Sequence, residues 1–213
     1  MKRDFTDIGA FSLESGVMRI SDPCYKKDVW CTGTIPNCKA GKWEAVTAYY
    51  NDGLFGRRVS MLAARAVDGN ASFDLLDELG DLAVGDFEVG VDSGQAGMYD
   101  DATYGLDSIV ESLPTPDDIY GTGPGSLWFS CCCEATDTEN CADVLPNGVV
   151  SRSGFGDGGY TAFYHIGKDK KVDLIAIQYI DEEMEDAQEE DDEDDEDLAA
   201  EAAALLSIAN SAE

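Results

Sequence analysis

The sequence predicts a mainly β fold: a β-rich α+β domain, built as a barrel or a sandwich, with one or two short helices and a disordered acidic C-terminal tail. Three observations predict it. Short β-type segments alternate with Gly, Pro, Asn and Asp turn signals through most of residues 1–180. Apolar residues at helical spacing are few. Residues 181–213 hold 16 acidic side chains and no Lys or Arg, a composition that cannot bury enough apolar area to fold alone.

Gly16-Val17-Met18-Arg19-Ile20-Ser21 alternates apolar and polar residues and meets Asp22-Pro23, a strand running into a turn. Trp43 to Tyr50 is a second strand; Asn51-Asp52-Gly53 is a hairpin signal, and Leu54 to Ala64 returns as its partner. Phe87–Val91, Ser126–Cys133 and Gly148–Arg152 are further strand candidates. Gly159–Ile166 and Val172–Ile180 form a final hairpin about the turn 167–171. Its second strand is nearly all apolar at its centre, which places it inside a sheet covered on both faces. Phe73, Leu76 and Leu79 predict a short helix with Ser72 as N-cap, and Asp107–Leu113 a second one ending before Pro114. Residues 1–180 are read as one domain and 181–197 as an acidic, disordered linker. Residues 198–213 are read as a short Ala/Leu-rich helix, from the spacing of Leu198, Ala202, Leu205 and Ala209.

The net charge is −30. Removing the 16 acidic residues of 181–213 leaves 28 acidic and 14 basic residues, a net of −14 on the remaining chain. Direct nucleic-acid binding and docking on anionic lipid are therefore not expected, since both need clustered Lys and Arg. No apolar run of 18 residues exists and no apolar stretch follows Lys2-Arg3, so neither a membrane span nor a secretory signal is expected. Seven cysteines, an odd number, read as reduced thiols in the cytoplasm of a bacterium or of a phage-infected cell.

Three segments carry the candidate chemistry: Ser21-Asp22-Pro23-Cys24-Tyr25, Val91 to Asp100 (VDSGQAGMYD), and Gly154 to Tyr160 (GFGDGGY). In this order they resemble a domain-of-unknown-function family of bacteria and phages, over roughly residues 14–180. The resemblance implies a DPxY-type turn after the first strand, a mid-chain V-D-x-G segment and a GDG-x-Y segment opening the last hairpin. It implies no activity, because the family has none established.

Read from the residues alone, Asp22, Cys24, Tyr25, Asp92, Gln95, Asp100, Asp157 and Tyr160 are candidate ligand-binding residues in one polar cleft. The ligand would be a small polar, cationic or nucleotide-like molecule. Structural readings stand beside each motif: a proline turn at Asp22, an Asx turn at Asp92, a hairpin turn at Gly154–Gly159. The glycine-rich segment lacks the Lys-Ser/Thr of a phosphate loop, so no cofactor is expected. The cysteine spacings C-x6-C-x6-C and CCC…C do not match a structural zinc site, and buried free thiols are the better reading. Within the expected strand, Cys131 and Cys133 would share one face. His165, the only histidine, would serve catalysis only if it met Cys24 and an Asp. Two alternatives accompany the binding reading: an acidic interaction or inhibitor protein whose tail engages a basic partner, and a carboxylate- or Cys-dependent hydrolase.

Overall fold

Alternation of side chains about extended backbone builds twelve strands among the described residues, 3–53 and 56–181 of the computed structural model. In chain order they are β1 (Phe5–Leu13), β2 (Met18–Ser21), β3 (Gly33–Ile35), β4 (Gly41–Asp52), β5 (Gly56–Ala66) and β6 (Ala83–Val84). There follow β7 (Val89–Val91), β8 (Gln95–Asp100), β9 (Ala142–Leu145), β10 (Gly148–Arg152), β11 (Gly158–Ile166) and β12 (Val172–Gln178). One α-helix, α1 (Ser126–Thr136), precedes β9, and three 3-10 turns complete the described structure. Met1–Tyr179 cluster as one unit. The expected linker and terminal helix lie, from residue 182 onward, outside the described residues.

The strands form two antiparallel sheets. The first runs β1-β4-β5-β12-β11-β6, with β7 pairing the N-terminal end of β11; the second runs β3-β2-β8-β10-β9. Neither closes on itself, so the sandwich alternative applies and the barrel does not. The inner faces meet closely: a Cβ on Gly9 of β1 would lie 3.1 Å from Val144 of β9. The Tyr179 hydroxyl lies 3.0 Å from Ser151 Oγ of β10. Leu13, Met18, Ile20, Leu62, Met98, Val149, Ile175 and Ile177 are all fully buried or nearly so. As expected, β12 is covered on both sides, every residue from Val172 to Ile177 being buried.

Each sheet also has an outer cover. The 3-10 turns at Phe73–Asp77 and Leu79–Asp81 bring Phe73, Leu76 and Leu79 onto Val46, Ala48, Met61, Ala63, Leu174 and Ala176. Ser72 caps the first turn as its sequence position predicts, its Oγ accepting the Asp74 N–H. The expected short helix takes the 3-10 form, and Asp107–Ile109 is likewise a 3-10 turn.

The second sheet is covered by α1, where a strand was expected over Ser126–Cys133. Cys, Ser, Phe and Trp are middling helix formers, so local preference points away from a helix here. The helix is instead started from a distance: the Asp107 carboxylate accepts the Gly125 and Trp128 N–H groups, both at 2.9 Å. Trp128, Cys131 and Cys132 then pack on Tyr99, Tyr104, Leu145 and Val150. The rings of Tyr99, Tyr104 and Trp128 meet edge to face at 4.8–5.3 Å, each pair contributing about 0.5–1.5 kcal/mol beyond its buried area. On a helix Cys131 and Cys133 no longer share a face: Cys131 is buried in this cluster, and Cys133 is half-buried beside Gln95. Among the described residues no helix is long and apolar enough to cross a membrane.

Candidate functional site

β2 ends at Ser21, and the chain turns at once through Asp22-Pro23. Asp22 is fully buried and accepts four hydrogen bonds. Its Oδ1 takes the Cys24 N–H at 2.8 Å and the Ser93 hydroxyl at 2.6 Å. Its Oδ2 takes the N–H groups of Asp92 at 2.9 Å and Ser93 at 2.7 Å. One carboxylate thus holds the turn after β2 against the turn between β7 and β8. Behind it the Tyr104 hydroxyl lies 3.0 Å from the Asp22 carbonyl oxygen and 2.8 Å from that of Tyr25.

The third segment is joined to the second in both directions. Gly94 donates its N–H to Asp157 Oδ1 at 3.1 Å, and Ser153 donates its N–H to the Gly94 carbonyl at 3.0 Å. Gly94 has φ +68°, and Gly156 has φ +112°, conformations that side chains disfavour. The loop is closed on itself by Tyr160, whose hydroxyl meets the carbonyls of Ser153 (2.9 Å) and Gly156 (2.6 Å) and whose ring stands edge-on to Tyr179. All three segments therefore meet in space.

They meet around a cleft of about 500 Å³. Tyr25, Trp30 and Cys31 form one wall; β7, Asp92 and the start of β11 form the other. The walls close because Gly90 donates its N–H to the Cys31 carbonyl at 2.9 Å, and a Cβ there would lie 2.7 Å from Cys31 Cβ. Glu88 lies across Gly159, where a Cβ would fall 1.6 Å from its Oε1. Glu88, Asp92 and Asp157 line the cleft and are exposed, and none of its lining residues is Lys or Arg. Trp30 is 85% exposed, while Trp43 and Trp128 are buried. Desolvation, and after it a hydrogen bond to Asp92 and one to Cys31, raises the Tyr25 phenol above its ordinary value. Desolvation, reinforced by the Asp22 and Asp92 carboxylates, pushes the Cys24 thiol up to about 12.

The eight candidate residues divide accordingly. Tyr25, Asp92 and Asp157 line the cleft. Asp22 does not: it is spent on three backbone N–H groups and the Ser93 hydroxyl and frames the cleft from behind. Tyr160 is a staple of its loop. Cys24 lines a neighbouring cleft of about 510 Å³ on the far side of Tyr25, with Lys26, Lys27 and Trp128. Gln95 and Asp100 belong to β8, an interior strand where a ligand loop was expected. Gln95 turns to α1, its Oε1 accepting the Thr136 hydroxyl at 3.3 Å. Asp100, buried at the other end of β8, accepts the N–H groups of Glu14 (2.6 Å), Ser15 (2.9 Å) and Ala102 (2.9 Å). Burial opposes its ionisation, but these bonds outweigh that effect and hold its carboxyl below the ordinary value.

His165 is remote from this assembly. It stands seven residues along β11 from Gly158, about 23 Å at the rise of a strand. Its Nδ1 lies 2.7 Å from Oδ1 of the buried Asp173. A register shift pairs His165 with Leu174 and Ile166 with Val172, leaving Asp173 as the extra residue of a bulge that aims it at the ring. The Cys24–His165 constellation is therefore not assembled. Among the described residues no group of three or more His, Cys, Asp or Glu side chains is arranged to hold a metal ion.

Sequence reasoning missed Trp30 and Glu88. The signals were there: a tryptophan in a loop of Lys, Asp and Thr, and a Glu preceding Gly90 on a strand whose neighbour opens with Gly158-Gly159. Comparison with protein-family models, with curated proteins and with solved structures finds no match to this chain.

Proposed function

We propose that this domain is a binding module that takes a small polar ligand in the cleft between Tyr25, Trp30, Asp92 and Asp157. The observation that carries the reading is the convergence of three segments, distant in sequence, on one cavity of about 500 Å³ through side chain-to-backbone bonds. The buried, fully bonded Asp22 fixes the frame; Asp157 joins it through one oxygen, bonded to the Gly94 N–H, and both Asp92 and Asp157 are exposed at the cleft. A rigid frame with a few polar groups at its mouth is the usual form of a small-ligand site.

The hydrolase alternative has less support. A thiol at about 12 is protonated at neutral pH, and Cys24 has no imidazole within reach. The interaction alternative keeps one supporting observation, the acidic lining of the cleft, which would also attract a basic partner. Seven free cysteines support a reducing compartment and so a cytoplasmic protein. The resemblance to the bacterial and phage family supports the same three-motif organisation without adding an activity. The test is a thermal-shift screen of metabolites against the full chain, with Asp92→Ala and Asp157→Ala as controls. A ligand that stabilises the wild type and not the variants is the expected result; no such ligand in the screen overturns the reading.

A further inference from the structure

We infer that the cleft selects an organic cation, a guanidinium or alkylammonium headgroup carried on an apolar body. The inference rests on the reading of this cleft as a ligand site and names the class of ligand. Charge comes first. Glu88 and Asp92, on either side of β7, and Asp157, from the turn before β11, approach the cavity, and no Lys or Arg lines it to neutralise them. An anion entering here meets only repulsion.

The aromatic wall is the second, independent observation. Trp30 leaves 85% of its surface in water, beside half-buried Tyr25, while the other two tryptophans are buried. An indole face is the strongest aromatic partner for a cation, and the attraction grows as the pair is desolvated. Third, the carboxylates ring the cavity without converging: the described residues offer no cluster of ligating side chains suited to a metal ion. Hard metal cations need several oxygens at one point. A field spread over three separated carboxylates and faced by indole and phenol suits a cation whose charge is delocalised or shielded by carbon. Gly159 sharpens the arrangement, since only a residue without Cβ lets Glu88 lie flat across β11 at the cleft wall.

The full-length protein is titrated by calorimetry and by tryptophan emission with butylguanidinium and with butylurea, its uncharged isostere. Trp30 is the tryptophan that lines the cleft, so a change in emission on binding that Trp30→Ala abolishes reports on it. The expected result is saturable binding of butylguanidinium at least fivefold tighter than butylurea. Glu88→Gln and Asp157→Asn should each weaken it about two- to fivefold, and Trp30→Ala about fivefold or more. A rise in salt should weaken it further. Equal affinity for butylurea, or affinity unmoved by both carboxylate variants, overturns the cation assignment and leaves the cleft a site for neutral ligands. Failure of both compounds, with no ligand from the metabolite screen, overturns the binding reading as well. The peptide acetyl-Ala-Arg-Ala-amide separates the two sources of the headgroup. Affinity tenfold above butylguanidinium assigns the cation to a protein side chain, and equal affinity assigns it to a free small molecule; either supports the inference.

Discussion

The two ends of β8 carry the same device with different consequences. At the start of the strand, buried Asp22 accepts four hydrogen bonds and locks two turns together. At its end, buried Asp100 accepts three backbone N–H groups and locks the β1–β2 turn to the chain leaving β8. Only the first end opens into the acidic cleft. A buried, satisfied carboxylate is thus a structural joint, and function is read from what the joint leaves exposed beside it. Removing an acceptor strands several buried donors, which is costlier than the bonds themselves are worth.

The largest expected effect is Asp22→Ala. It should cost about 3–5 kcal/mol in denaturant unfolding and abolish ligand response in the cleft. Asp100→Ala should cost somewhat less, about 2–4 kcal/mol, and leave cleft binding intact in the folded fraction. Loss of binding in Asp100→Ala at a temperature where it is folded would break the comparison, because the two ends would then be coupled.

Acid titration sharpens the contrast. The Asp100 carboxyl lies below its ordinary value in the folded state. Its contribution is therefore present above the unfolded value of about 3.9 and is lost as pH falls through the folded one. The stability gap between wild type and Asp100→Asn should be constant near neutrality and narrow as pH falls below about 4; a gap unchanged down to the acid transition would refute the assignment.

A smaller effect is expected at Cys24. With its thiol at about 12, alkylation by iodoacetamide at pH 8 should run at least tenfold slower than that of free cysteine, despite its surface position. Asp92→Asn removes one of the carboxylates that raise it and should speed the reaction. The smallest effect belongs to Gly159→Ala. The new Cβ meets the free end of the Glu88 side chain, so stability should change by less than about 1 kcal/mol while Glu88 swings away from the cleft and cation affinity drops. Unfolding costs well above that value would mean that backbone, and not Glu88, occupies the space.

Legibility in the sequence followed how local each cause is. β12 and the β4–β5 hairpin were readable because an apolar run and an Asn-Asp-Gly turn report on their own surroundings. β10 was predicted over Gly148–Arg152, the range it occupies. α1 was not readable, because its cap, Asp107, lies 18 residues before Gly125 and its preference for helix is supplied by packing on Tyr99 and Tyr104. β8 was hidden for a related reason. Its Gln95, Gly97 and Asp100 look like loop residues, and they tolerate an interior strand only because α1 and the β1–β2 turn satisfy their polar atoms. The site was half legible. Turn chemistry singled out Asp22, Asp92 and Asp157, which the fold brings near one another, but which carboxylate faces inward depends on contacts 63 to 71 residues apart. Trp30 and Glu88 gain their significance only from Gly90 and Gly159 across the cleft.

Those long separations also set a schedule for assembly. The Asp22 joint spans 71 residues to Ser93, and the Gly94–Asp157 bond a further 63. Closing such loops is an entropic cost met late, after local hairpins have formed. Asp22, Asp92 and Asp157 should therefore show low φ-values in folding kinetics. During synthesis the cleft cannot exist until β11 has left the ribosome, so a nascent chain remains unable to hold its ligand while most of its sheets are already in place.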